Sequence, residues 1–305
     1  MASDRLTTSG PGSPASCGES GASKSEQSCS ACGQVTPQAL RFHANGCAIW
    51  QCGICGLGRA DTKGFDPGAY YTADYFSGRH NDGYSDYRGA EPVLRREFAH
   101  SADFVRRFSA GNRLLDLGCA YGFFLKEAAQ RHFEVFGIEL AEDAAQSCRD
   151  AGLNVFSGVA DEANMTSIGK VDIITMFDVI EHLPQPRETL ALCARHLKPG
   201  GVIVITTGDF ASLAAQWAGR KWRLMTPPQH LWFFTRESLR RMGATLGLTI
   251  EHFDHPGKIV PLSLIMFQLR RMIGLRGPVI AAASHVGIPV NLFDAMRVVL
   301  RKGQA

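Results

Sequence analysis

The sequence predicts an α/β protein organised on a doubly wound parallel sheet, with a small cysteine-rich unit in front of it. Three observations predict this. Between residues 113 and 253, short apolar runs alternate with segments of helical periodicity. The first of those runs, RLLDLGCAYG at 113–122, passes through a glycine turn directly into a helical pattern. Upstream, Cys29/Cys32 and Cys52/Cys55 each have C-x-x-C spacing. At 305 residues and 45% hydrophobic content, the chain has enough apolar surface for one large core and one small unit. A net charge of +3 is too small to imply a nucleic-acid partner by itself.

Residues 1–27 are dominated by Ser, Gly, Ala and Pro with scattered charges. They lack the apolar content to bury a core and are expected to be disordered, Cys17 included. No apolar h-region stands at the N-terminus, and no apolar run reaches the roughly 18 residues of a membrane span. A cytoplasmic location is expected. Nine cysteines in such a protein suggest metal ligands and buried thiols more than disulfides.

Residues 28–60 read as a zinc ribbon. Two C-x-x-C knuckles separated by nineteen residues can converge on one ion, with Gly33 and Gly56 allowing the turns. Four thiolates close a tetrahedral shell, so zinc at Cys29, Cys32, Cys52 and Cys55 is expected to be structural. His43 and Cys47 are nearby spare ligands that the shell does not need.

Residues 61–110 join an aromatic segment to a helix. Tyr70, Tyr71, Tyr75, Phe76, Tyr84 and Tyr87 lie among glycines. They form either a lid over cofactor and substrate or a linker packing its rings on the core. Pro92 marks a helix start, and Val93, Leu94, Phe98, Phe104, Val105 and Phe108 recur at helical spacing.

The α/β unit takes residues 111–305. Strands are expected at 113–117, 134–138, 154–156, 171–177 and 202–206, with helices at 123–130, 141–151 and 187–197. The run at 171–177 is continuously apolar and β-branched, as in a strand buried on both faces. Pro199, Gly200 and Gly201 turn the chain into the strand at 202–206. An irregular Trp-rich stretch follows, then a helix at 236–246, a strand at 248–253 and a last strand at 293–300. Residues 257–290 interrupt the rhythm with two apolar patches flanking Arg270, Arg271 and Arg276. From Gly257 onward seven basic residues face one acid, Asp294. The interruption reads either as an amphipathic pair on a membrane surface or as a helical hairpin packed on the core.

Asp116 ends the first strand of this unit, and Glu139 ends the second. A carboxylate beside the glycine turn would repel a dinucleotide pyrophosphate but suits a cation. S-adenosylmethionine (SAM) carries a sulfonium and an ammonium. Glu139 stands where a ribose would sit, because a carboxylate accepts from two vicinal hydroxyls. SAM is therefore preferred to NAD, and a 2′-phosphate is disfavoured.

On the segments LDLGCAYG (115–122), GIE (137–139), FDVIEHLP (177–184) and LKPGG (197–201), the chain resembles the class I SAM-dependent methyltransferases. In particular it resembles the branch that includes the ubiquinone-type O-methyltransferases, over about residues 106–253 and the last strand. It implies a Rossmann-like sheet of seven strands with the last antiparallel. It also implies that Asp116, Gly118, Cys119, Ala120 and Gly122 meet the methionine part of SAM. Glu139, with Leu140 beside it, would take the ribose. Phe177 and Asp178 would lie against the adenine or the sulfonium side. Ala120 replaces the usual middle glycine of the family. Val159, with Asp161 two residues on, stands where the family often has an acid for the adenine amine. In such relatives an acid-x-x-Glu-His patch can hold a divalent ion, and Asp178, Glu181 and His182 match it.

Methyl transfer is an in-line displacement in which the protein mainly aligns nucleophile and methyl. A base is needed only for a hydroxyl or a carbon acid. His182, and His230 in PPQHLW (227–232), are the candidates for that role, or else anchor their loops. No Asn/Asp-Pro-Pro-Tyr/Phe motif follows 171–177, which argues against methylation of a base amine. The expected acceptor is a small molecule or a sugar-type group, methylated on oxygen. Three alternatives stand beside it. One is an RNA methyltransferase reading through the ribbon, although the ribbon carries few basic residues. Another is a non-catalytic SAM-binding module. The last is a lipid-linked acceptor met by peripheral membrane contact through 257–290.

Overall fold

The computed structural model describes residues 24–62, 64–66, 70, 86–272 and 281–304. The expected disorder of residues 1–23 and most of the aromatic segment, residues 71–85, lie outside the described residues.

Four strands come first: β1 (Lys24–Ser28), β2 (Val35–Ala44), β3 (Cys47–Cys52) and β4 (Gly58–Ala60). Helix α1 (Glu91–Arg106) follows. The alternating region runs β5 (Arg113–Leu117), α2 (Phe123–Gln130), β6 (Glu134–Glu139), α3 (Glu142–Asp150), β7 (Asn154–Ser157) and α4 (Glu162–Ile168). It continues with β8 (Val171–Phe177), α5 (Pro186–His196), β9 (Leu197–Gly208), α6 (Leu213–Ala218), β10 (Trp232–Phe233) and α7 (Arg236–Ala244). The last elements are β11 (Leu248–Asp254), β12 (Lys258–Pro261), α8 (Leu262–Met272), β13 (Gly287–Val290) and β14 (Ala295–Lys302).

Seven strands form one sheet in the order β11-β14-β9-β8-β5-β6-β7. Strands β9, β8, β5, β6 and β7 are parallel, and β14 runs antiparallel to both of its neighbours. This is the expected seven-stranded sheet with its last strand reversed. Successive side chains of a strand point to opposite faces. Accordingly Leu115, Ile174, Ile203 and Val298 enter one core, and Leu114, Ile173, Val204 and Val299 the other. Both faces are covered, so these strands read as unbroken apolar runs.

Several expectations need correction. Strand β1 begins at Lys24, inside the stretch expected to be tail, because residues 24–28 pair antiparallel with 35–39. Backbone pairing orders it without apolar content. The strand after Val171–Phe177 starts at Leu197, before the Pro-Gly-Gly turn, and pairs there with Val171. The last strand lies two residues further on than expected. Among its described residues, the 257–290 segment includes strands that neither reading of the sequence anticipated. Its β12 and β13 pair antiparallel and α8 stands between them, since Ile259, Val260, Ile288 and Val290 favour strand.

The cysteine unit is also less separate than its sequence suggests. Strands β1 to β4 form a sheet whose fifth strand is β10, supplied from the α/β region. Trp232 pairs with Arg59 and Phe233 with Gly58. Behind this seam Phe210, Trp222, Met225 and Phe233 pack with Ala44, Ile49 and Ala60.

Candidate functional site

In open α/β sheets, ligands bind beyond the carboxyl ends of the parallel strands. Here that edge carries the turn after β5. Gly118 N–H donates to the Ile138 carbonyl at 2.8 Å, and Gly122 N–H to the Cys119 carbonyl at 2.8 Å. Gly118 and Gly122 both have φ of 70°. A Cβ on Gly118 would lie 2.7 Å from Val179 Cγ2, and one on Gly122 2.6 Å from Leu153 Cδ1. Both positions therefore favour glycine. Ala120 sits between them at φ 47°, a left-handed conformation that costs an L-residue about 1 kcal/mol. That cost is why glycine is the easier residue at this point of the turn.

Two carboxylates flank the turn. Asp116 is 3% exposed, and its Oδ1 accepts from Thr175 Oγ1 at 2.6 Å. Burial, reinforced by the negative charge of Glu139, pushes its carboxyl up to about 7. Glu139 accepts the Ala120 and Ala141 amides, each at 2.8 Å, and so splints the turn to the end of β6. Burial raises its carboxyl above the usual range. Leu140 follows it, half-buried. A cation brought to this edge would relieve both buried acids.

Phe177 closes the wall behind, its ring 4.8 Å from Phe124 and nearly perpendicular to it. Asp178 has φ 56° and accepts from Thr206 Oγ1 at 2.9 Å. Its other oxygen pairs with Lys258 Nζ at 2.6 Å. Desolvation would raise this carboxyl, but the Lys258 ammonium, with the Thr206 hydroxyl and Arg223, outweighs it and holds the group below its ordinary value. Lys258 opens β12, whose Ile259 N–H donates to Glu97 on α1 at 2.7 Å. Strand β12 is thus latched to this edge. Near the expected adenine position, Val159 is exposed and Asp161 caps α4 by accepting the Asn164 amide at 2.8 Å.

Beyond Asp178 lies a polar cluster. Ligand atoms of Glu181, His182 and His230 all fall within 4.8 Å of one another. The two imidazoles stand 4.7 Å apart at 74°. His182 Nδ1 faces the Gln229 carbonyl at 2.9 Å, and His230 Nδ1 faces the Leu224 carbonyl at 2.8 Å. A carbonyl only accepts, so each Nδ1 carries the hydrogen and each Nε2 is the acceptor nitrogen. Glu181 is 3% exposed, and its Oε2 is buried without a hydrogen-bond partner among the described residues. Burial lowers His182 to about 4. Burial, aided by His182, lowers His230 to about 3. Burial, aided by the charge of Asp178, raises Glu181 to about 8. The two histidines singled out in the sequence therefore meet beside Glu181, and the ligand atoms within 4.8 Å of one another are those of Glu181, His182 and His230. Asp178, the other acid of the expected patch, is held by Lys258 and Thr206. Tyr70 from the aromatic segment donates to Gln229 Oε1 at 3.1 Å.

The four cysteines of the knuckles also converge. Cys29 and Cys55 sulfurs are 3.6 Å apart, and those of Cys32 and Cys52 are 3.9 Å apart. A zinc ion with Zn–S bonds of about 2.3 Å would need tetrahedron edges of about 3.8 Å. The Ile54 amide approaches Cys52 Sγ at 3.4 Å, and the Cys32 amide approaches Cys29 Sγ at 3.5 Å. The hydrogen bond with Cys55 draws the Cys29 thiol down to about 5 and drives Cys55 far up. Burial pushes Cys32 up to about 11. Cys47 instead faces the Asn45 carbonyl, and neither it nor His43 joins the cluster.

Sequence reasoning missed Lys258 and Thr235. Thr235 caps α7, with Ser238 Oγ accepting the Thr235 amide in return, and its hydroxyl donates to the Cys55 carbonyl at 2.9 Å. The Thr-x-x-Ser spacing was the available signal for the cap. Nothing in the pattern pointed to Cys55.

A methyltransferase-domain family model matches residues 93–253, more than half of the chain. The ubiquinone biosynthesis O-methyltransferase of Methylococcus capsulatus is 35% identical over 104 residues, 32% of this chain and 44% of that protein. Its counterpart from Alkalilimnicola ehrlichii is 29% identical over 169 residues, 49% of this chain and 68% of that protein. The chain spans about half the length of the curated relatives it matches. A solved SAM-dependent methyltransferase from Archaeoglobus fulgidus aligns over 67% of this chain and 92% of its own, with TM-score 0.46 and 22% identity. With the strand order, the glycine turn and the family match in agreement, the chain belongs to the class I SAM-dependent methyltransferases.

Proposed function

We propose that this protein methylates a hydroxyl group of a small-molecule acceptor, with SAM as donor and a structural zinc ion in the cysteine cluster. The observation that carries the donor side is the pair of buried acids, Asp116 and Glu139, on either side of the turn from Gly118 to Gly122. Asp116, Gly118, Cys119, Ala120 and Gly122 would hold the methionine part, and Glu139 with Leu140 the ribose. Phe177 and Asp178 would flank the adenine or the sulfonium. Bound there, SAM supplies an electrophilic methyl group on a positively charged sulfur. The chain's own contribution is alignment and exclusion of water by the segments around Lys258 and His230.

On the acceptor side, Glu181, His182 and His230 fit a divalent cation better than a general base. Imidazoles this weakly basic are poor proton acceptors at neutral pH. Held by backbone carbonyls through Nδ1, they are oriented as metal-ligating histidines usually are. The orphaned Glu181 oxygen offers a third ligand. When bound, such an ion would lower the pKa of an acceptor hydroxyl. The names of the curated relatives support oxygen as the methylated atom, and a sugar-type hydroxyl suits the same chemistry.

Calorimetry with S-adenosylhomocysteine and with NADH tests the donor side. The homocysteine derivative is expected to bind, Glu139→Gln to weaken it at least tenfold, and NADH to be ignored. Binding of NADH alone would overturn the assignment. Metal analysis tests the acceptor side. His182→Ala/His230→Ala should lose one equivalent of divalent metal while the cysteine-bound zinc stays.

A further inference from the structure

We propose that the α6 surface docks this protein onto an anionic lipid bilayer. Among the described residues, Trp217 and Leu213 are the most exposed large apolar side chains, at 92% and 89%. They lie four positions apart, on one side of α6. The opposite side is committed, because Ala215 is buried against Phe210, Trp222 and Phe233. Arg220 and Lys221 follow immediately and are exposed. From Phe210 to Arg236 the sequence holds four basic residues and no acidic one. Phe293, 65% exposed, and Leu292, 54% exposed, belong to the same region. Their neighbour Asp294 accepts from Trp222 Nε1 at 2.9 Å and from Arg223 Nη2 at 2.7 Å, which ties the two loops together.

A tryptophan with an aliphatic companion, bordered by cations, suits the boundary between acyl chains and acidic headgroups. It does not suit a second copy of the chain. A twofold contact through this patch would bring Arg220 and Lys221 towards their own images, and the acid of this region, Asp294, is buried and already paired with Arg223. The segment 257–290, for which membrane contact was one of two readings, is a weaker candidate among its described residues, since Leu262, Leu264, Ile265 and Met266 are all partly buried. The docking surface is independent of the methyl-transfer reading, although the same stretch of chain carries His230.

The test is co-sedimentation of the full chain with vesicles of phosphatidylglycerol and phosphatidylcholine in equal parts, and with phosphatidylcholine alone. Binding to the anionic vesicles is expected, and it should fall with added salt. Arg220→Gln/Lys221→Gln should lower partitioning by about 25-fold, from roughly fivefold per basic residue. Trp217→Ala/Leu213→Ala should lower it at least tenfold. Both variants should keep the circular dichroism and the S-adenosylhomocysteine affinity of the parent. The proposal is overturned if the protein stays in solution, if neutral vesicles bind equally well, or if either variant partitions like the parent. A dimer in sedimentation equilibrium that Trp217→Ala dissolves would overturn it as well.

Discussion

Replacing Thr235 with alanine should loosen the seam between the cysteine knuckles and the sheet that bears the cofactor turn. Thr235 Oγ1 accepts the Ser238 amide at 3.0 Å and donates to the Cys55 carbonyl at 2.9 Å. Loss of a threonine N-cap costs about 1 kcal/mol. The Cys55 carbonyl, in a residue only 3% exposed, would lose its donor, at a further cost of about 1 kcal/mol. Thr235 is 5% exposed, and its methyl adds up to ~0.8 kcal/mol of packing. The alanine variant should therefore lose roughly 2 to 3 kcal/mol. Serine keeps both hydroxyl bonds and forfeits only the methyl, so it should lose under about 1 kcal/mol. Urea unfolding gives these differences directly. Release of bound zinc to a chromophoric chelator should be faster for alanine and close to the parent for serine. If the two variants lose equal stability, the hydroxyl does not carry the seam and the reasoning fails.

Other outcomes are equally specific. Gly118→Ala meets Val179 Cγ2 at 2.7 Å and keeps φ at 70°, so it should destabilise by about 2 kcal/mol or more. Adding Val179→Ala should recover only the clash, leaving the backbone strain, as read by thermal unfolding. With Asp116 raised to about 7 in the free protein, binding of a cation favours its ionised form. SAM binding should then release a proton, and its affinity should climb as pH rises through about 7 and level off above. Calorimetry in buffers of different protonation heat would detect that proton, and Asp116→Asn should abolish it. Lys258→Met removes the ammonium that holds Asp178 low, so a carboxyl NMR titration should find Asp178 shifted upward. An unchanged value would show that some other group sets it.

What the sequence made legible was what local pattern determines. The turn from Asp116 to Gly122 could be read because apolar strand, glycines and helix are contiguous there. The four cysteines could be read because knuckle spacing is itself the geometry. What stayed hidden depends on distant partners. Strand β10 is two residues long, too short for any periodicity, and it exists because β4 offers it an edge. The meeting of His182 with His230 is set by how the loop between β9 and β10 folds back, with Leu231 N–H donating to the Glu181 carbonyl at 2.9 Å. The role of Asp178 could not be read from its motif, because Lys258 reaches it from the far end of the chain. Strand β1 was hidden by its composition, since Lys24 to Ser28 hold no apolar residue and are ordered by pairing alone.

The borrowed fifth strand has a bearing on how this chain is born. Synthesis delivers the knuckles early, and their thiols can capture metal as soon as β3 and β4 have left the ribosome. Strand β4 must then wait, its open side unpaired, until most of the later domain has been made and Trp232 arrives. Unpaired strand edges invite wrong partners in the interval. Gly58 sharpens the point, because any side chain there would press against Phe210 and Phe233, at 2.9 Å from each. Completion of the first unit thus belongs among the late, long-range events of folding.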